Sequence, residues 1–300
     1  MFFYGLWRTV PVSFEQGLAY ALVALGIVIS FRILAFPDLT VDGSFALGGA
    51  VVARLISEGL PPIYGVMAAV VCGFLAGCCT GFLNTRLKIN SLLAGILMMT
   101  ILYSVNLRIM GRSNIQLLTV DTLLTPLENL DINRFIPIIA FFFLVTFFIK
   151  FITDMFFRTQ IGFAMRATGD NEQMIRTLGV NTDNMTVLGL GISNAFVALS
   201  GVLVAQDQGF ADIGMGIGMI VAGLAAIIIG ETLIGKTSVQ RMTLAAIVGS
   251  IIYKFIISLG LRLGLAPTDL KLATGLMVIL ALGFPALKKG KEGKLHLRGV

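Results

Sequence analysis

Apolar runs long enough to cross a bilayer recur along this chain, and nothing else in the sequence constrains its fold as strongly. A spanning helix needs about 20 mostly apolar residues. Nine segments are read as candidate spans, at 14–34, 43–57, 63–83, 91–110, 135–157, 185–206, 214–234, 241–260 and 270–287. Only 13% of the 300 residues are charged and 57% are hydrophobic, whereas soluble domains carry about 25% charged residues. The expected fold is an all-α, polytopic transmembrane bundle forming one domain over 1–300, since no polar block is long enough for a second fold. The N-terminus, MFFYGLWRTVPVSFEQ, lacks a basic start and a small-residue cleavage site. The first span is therefore expected to be a retained helix.

The second candidate span is short and follows FPDLTVDGS. Pro, two Asp and Gly are poor companions for lipid, and non-helical backbone at membrane depth needs cover from protein or water. The stretch reads either as a tight surface loop or as the unwound part of a broken helix lining a path. Small residues mark other spans. GFLAGCCTG sets Gly73, Gly77 and Gly81 four apart on one helix face, and GMGIGMIVAGLAAIIIG is similarly small-rich. Such spacing lets helix backbones approach closely in lipid.

Orientation follows from Lys and Arg in the short loops. One set holds twelve: Arg86, Lys88, Arg158, Arg166, Arg176, Lys236, Arg241 and the tail residues Lys288, Lys289, Lys291, Lys294 and Arg298. The opposite loops hold three, Arg112, Arg134 and Arg262. The richer side is expected to be cytoplasmic, with the basic tail 288–300 and so the C-terminus on it.

Residues suited to chemistry are few. The only histidine, His296, lies in the tail, and Cys72, Cys78 and Cys79 share one apolar run with no metal or redox spacing, so they read as small buried packing residues. There is no Gly-x-x-x-x-Gly-Lys-Ser/Thr phosphate loop, and the GxG spacings at Gly189 and Gly214 fall in membrane helices. No enzyme and no cofactor are expected. Lys254, inside IIYKFIISL, reads either as snorkelling to the outer interface or as facing an internal path, and Lys150 as snorkelling. Amides at Asn106 and Asn194 fall within spans, where bonding to a neighbouring helix is the default and a polar path the alternative. An ion-coupled carrier would want an ionisable group or broken helix near the midplane, and only DLTVDGS offers one.

One polar island, RATGDNEQMIRTLGVN, interrupts the apolar pattern at 166–181. Asp170 reads as an N-cap with Gln173 three residues on. Glu172 and Arg176 complement the helix dipole, and Gly179 fits the position past the end. The pattern predicts a two-turn helix over 171–178 with Met174, Ile175 and Leu178 on its apolar side. A helix that short needs an external support. The membrane surface, the rest of the loop or a groove on a partner would each serve.

Three segments together resemble ABC importer permeases of the branched-chain amino acid, ribose and simple-sugar type. RTQIGFAMRATGDNEQMIRTLGVNTDNMTVLGLGISNAFVALSGVLVAQ is similar to that family's coupling region, LTVDGSFALGGAVVARL to its lead-in to the second membrane helix, and AGLAAIIIGETLIGKTS to its later Gly-rich segment. Glu231 departs from the pattern, standing where a second Gly is usual. The resemblance implies a multi-pass protein of the cell inner membrane that forms a path for a small polar solute. Amino acids, aromatic ones included, are the expected cargo. Implied partners are a cytoplasmic ATPase dimer, a second copy of the chain, an extracytoplasmic substrate-binding protein and membrane lipid, with no nucleic acid; ATP is used by the partner. Gly169, Asn171, Glu172, Leu178 and Gly179 match the family's coupling stretch within a cytoplasmic loop at 158–184, and the helix pattern adds Asp170, Met174, Ile175 and Arg176. Asp42, Gly43, Ser44, Asn106 and Asn194 are the expected path residues. The competing readings are an ion-coupled secondary carrier and a non-transporting scaffold.

Overall fold

The first apolar run forms helix α1 (Phe2–Ile27), continued by a π-helical segment, Val28–Ile33. The chain then breaks. Pro37 disfavours helical backbone at Phe36, Ala35 takes a left-handed φ of 51°, and helix resumes only at α2 (Thr40–Ser57). After α3 (Pro62–Thr85) and α4 (Ser91–Met110) comes the polar connection, which carries strand β1 (Asn114–Gln116) and one helical turn, α5 (Thr125–Glu128). Next are α6 (Phe135–Phe156), α7 (Gln160–Asp170), α8 (Glu172–Thr177) and α9 (Thr182–Gln208). Strand β2 (Phe210–Asp212), α10 (Met219–Ile234) and α11 (Val239–Arg262) follow. This computed structural model describes residues 2–128, 135–266, 269–270, 272–276 and 279, with side chains in the first helix described from Val10. The ninth expected span is described only in part, and the basic tail, His296 and Arg134 lie outside the described residues.

Among the described residues six helices are long and apolar enough to cross a membrane: Val10–Ile33, Pro62–Thr85, Ser91–Met110, Phe135–Phe156, Thr182–Gln208 and Val239–Arg262. The seventh expected span, 214–234, is shorter than expected. Its first residues form turns, and the helix proper is the 16-residue α10. The chain is mostly helical rather than wholly so, because β1 and β2 pair antiparallel, with Ile115 opposite Ala211. Pairing satisfies the backbone where the polar 111–134 connection meets the end of α9. The Leu123 N–H also donates to Gln206 Oε1 at 2.8 Å.

The small-residue face of α3 does what its spacing predicts. It lies against α9, and a Cβ at Gly77 would stand 2.1 Å from the Leu190 carbonyl oxygen. Between α10 and α11 the same device recurs, since a Cβ at Gly230 would meet the Ala245 oxygen at 1.8 Å. Hydroxyls clamp α1 into the centre. Ser193 Oγ donates to the Gly26 carbonyl at 2.7 Å, Ser200 Oγ to Ala19 at 2.6 Å and Thr146 Oγ1 to Leu18 at 3.0 Å. By contrast α6 exposes Ile136, Leu144, Phe148, Phe151 and Met155, the outward apolar face that hydrocarbon tolerates. Cys72 and Cys78 are half-buried, whereas Cys79 is exposed, so burial holds for none of the three in full.

Lys150 pairs with Asp154 one turn on, and the other Asp154 oxygen accepts from Thr243 Oγ1 at 2.7 Å, tying α6 to α11. Helix pairing also sorts the cations. Gly81 meets Val187, Gly189 meets Leu34 and Arg32 pairs with Glu231. The C-terminal ends of α3 and α10 and the π-helical segment therefore gather where α9 begins, the end of the bundle that carries α7 and α8.

Candidate functional site

The polar island builds a bracket of two helices, not one. Thr159 caps α7, its Oγ1 accepting from the Gly162 N–H at 3.2 Å. The Thr159 cap and the apolar spacing of Ile161, Met165 and Gly169 were readable signals for this helix, but the expected helix began only at 171. Asp170 is consequently the last residue of α7 and not the N-cap of the next helix. That cap is Asn171, extended at φ −156°, with its Oδ1 accepting from the Met174 N–H at 3.0 Å. Helix α7 runs on through Asp170 and fills the place the expected cap would have occupied.

Helix α8 ends as its sequence requires. Gly179 has φ 85°, its N–H donates to the Arg176 carbonyl at 3.1 Å, and Val180 N–H reaches back to Ile175 at 3.3 Å. This is the paired closure that a left-handed residue permits. Arg176 binds Glu172 Oε1 at 2.7 Å, Asp183 Oδ1 at 2.6 Å and Thr182 Oγ1 at 2.7 Å, fastening α8 to the start of α9. The three apolar residues then part company. Ile175 is 6% exposed and anchors the helix inward, whereas Met174 at 54% and Leu178 at 69% stand clear.

The bracket is rigidly seated on the bundle. Met165 is fully buried, and a Cβ at Gly169 would fall 1.8 Å from the Ile33 carbonyl oxygen. That contact lies beside the break between the π-helical segment and α2. Inside the break sits a carboxylate absent from the expected set, Asp38. It is 1% exposed, accepting from Asn194 Nδ2 at 2.7 Å and from the Thr40 N–H at 2.9 Å. Asp38 is the first residue of the DLTVDGS stretch, but the residues expected to line a path were its last three, and the unwound residues precede Thr40 while Asp42, Gly43 and Ser44 are all helical.

The expected path residues divide into two groups. Asp42, Gly43 and Asn106 line one cavity of about 310 Å³ between α2, α4 and the 213–217 turn. Asn106 donates to the Gly43 carbonyl at 3.2 Å, while its Oδ1 is buried without a partner. Asp42 also caps α10 from a distant part of the chain, accepting from Gly218 N–H at 2.8 Å and Ile220 N–H at 2.9 Å. No side chain of the preceding turn does so, and a carboxylate suits the positive end of a helix. Ser44 and Asn194 are fully buried within the packed helices, away from that cavity. On the far side of Ile217 a second cavity, of about 350 Å³, is lined by Tyr20, Gly218, Tyr253, Lys254 and Thr274. Among the described residues no cluster could hold a metal ion.

The family described as "Branched-chain amino acid transport system / permease component" matches residues 13–282. The chain belongs to this family of permeases. It is the permease component of an ABC importer, a multi-pass membrane protein that works with a separate ATPase and a substrate-binding protein, and it is not itself an enzyme. It is similar to a tyrosine transport system permease protein of Clostridioides difficile, 44% identical over 88% of this chain and 87% of that protein. A second relative, the autoinducer 2 import system permease protein LsrC of Yersinia pseudotuberculosis, is 25% identical over 84% of this chain and 68% of its own length. In fold the permease resembles PsaBC from Streptococcus pneumoniae solved in complex with a Fab, with a TM-score of 0.50 at 15% identity over 91% of this chain and 89% of that one.

Proposed function

We propose that this permease imports an amino acid, aromatic ones included, and that α8 is the point where ATP-driven motion enters it. One observation carries the second part. A six-residue helix is capped at both ends and fastened by Arg176, and the apolar side chains exposed on it and its C-cap are Met174 and Leu178. Such an apolar tip with polar flanks fits a groove on a partner. Gly169, Asp170, Asn171, Glu172, Ile175 and Gly179 hold the tip in place from the 158–184 loop. The cargo reading rests on the similarity to the tyrosine transport permease.

The route from tip to path is short. Helix α7 leans on Ile33 at Gly169, and Ile33 precedes the break that holds Asp38 against Asn194. Displacing α8 would therefore move the hinge between α1 and α2 and, through Asp42, the start of α10. Asp42, Gly43 and Asn106 form the path wall, with Ser44 and Asn194 setting the hinge behind it.

In the full reading nine segments cross the cell inner membrane, the six long helices together with α2, α10 and the segment that begins near 270. The α7–α8 end and the C-terminus are cytoplasmic, as the loop cations favour. The whole chain is one permease domain, binds no cofactor of its own, and pairs with a second copy within the lipid.

The test is a Met174→Asp/Leu178→Asp double variant. We expect it to fold, as read by its melting temperature, and to lose both co-purification of the ATPase and uptake of labelled tyrosine. Normal co-purification would overturn the assignment of α8.

A further inference from the structure

We infer that the cavity around Lys254 is a subsite for the carboxylate of a zwitterionic amino acid; the inference rests on the cargo proposed above and assigns the group that reads its charge. Lys254 stands in an apolar stretch of α11, eight residues before its end at Arg262, or about 12 Å of helical rise. A cation at such depth is costly in lipid. Its Nζ does not run out towards the helix end. It lies over the Tyr20 ring, 3.2 Å from the centroid, where the ring face attracts a cation. The Asp207 carboxylate at the end of α9 is near enough to act on both Lys254 and Tyr20.

Lys254 borders a cavity of about 350 Å³, within the size range of small-molecule sites. Its other walls are suited to a side chain carrying both a ring and a hydroxyl. Val221, Ala222 and Leu270 are apolar, and Tyr253 and Thr274 bring two hydroxyls together, 2.9 Å apart. Lys254 is the one charged side chain among the described residues that line the cavity, and its ammonium is the charge complement of a carboxylate. The lysine takes the carboxylate, and the aromatic and aliphatic walls take the side chain.

The experiment uses the permease assembled with its ATPase and binding protein in proteoliposomes, with labelled L-tyrosine as the probe. Lys254→Met should lower uptake by about tenfold or more, the scale of one charged hydrogen bond, while Lys254→Arg, which keeps the charge, restores most of it. Should Lys254→Met fail to assemble, labelling decides. With Cys72, Cys78 and Cys79 replaced, a Thr274→Cys variant should be modified by maleimide more slowly in millimolar tyrosine, and not in tyramine, which lacks the carboxylate. Undiminished uptake by an assembled Lys254→Met complex, or equal protection by tyramine, overturns the subsite and leaves the cargo reading standing. A wild-type complex that imports no amino acid removes the cargo reading, and this subsite with it.

Discussion

Single residues decide how closely the helices of this permease approach. Gly77 lies where any side chain would strike the α9 backbone, so Gly77→Leu should part α3 from α9. Overpacking of this kind costs about 1–3 kcal/mol when side chains can yield. A backbone oxygen cannot yield, so we expect a larger loss, read as failure to recover folded protein from the membrane. Asn194 is a different case. Asn194→Leu keeps the volume but withdraws a donor from the buried Asp38, and losing a hydrogen bond to such a group costs about 1.5–3 kcal/mol. The expected result is a lower melting temperature together with weaker uptake, because the hinge loses a strut. The Gly spacing was legible in the sequence because helical periodicity fixes which residues share a face. Asp38 was not, because its importance comes from a partner 156 residues away.

Among the elements, α8 was largely readable and α10 was not. The cap, the dipole-matched charges and the terminal glycine of α8 are all local features. Only the identity of the cap shifted, from Asp170 to Asn171, once α7 claimed the preceding residues. Asn171→Ala should destabilise the helix by about 1 kcal/mol and reduce tyrosine-coupled ATP hydrolysis by the assembled transporter. Gly179→Val, forcing a β-branched residue to a φ of 85°, should do so more strongly. Helix α10 begins where it does because Asp42 supplies its cap from another helix, and no local pattern carries that information. Asp42→Ala should fray the start of α10, which cysteine labelling at Ile217 would detect as faster modification.

For the whole molecule, the contact between Arg32 and Glu231 binds the end of the first span to α10. The pair gives Glu231 a structural role that its apolar surroundings in α10 do not suggest. Removing either partner should cost about 1.5–3 kcal/mol, with the double variant Arg32→Met/Glu231→Leu losing less than the sum of the two singles in melting experiments. Topology is testable with a membrane-impermeant thiol reagent on intact cells lacking the native cysteines. Arg112→Cys should react and Arg166→Cys should not; the reverse pattern would invert the molecule. The sequence by itself determined that the chain spans a membrane many times, which faces pack closely and where the capped polar helix lies. Those properties follow from hydrophobicity, helical period and local hydrogen bonding, all carried by neighbouring residues. Only the tertiary structure decided that Ile175 is an anchor while Met174 and Leu178 are free, that Asp42 caps α10, and that Lys254 turns inward over Tyr20. Each of these is set by groups distant in sequence that packing brings within a few ångströms, and the order of residues along a chain does not specify that distance.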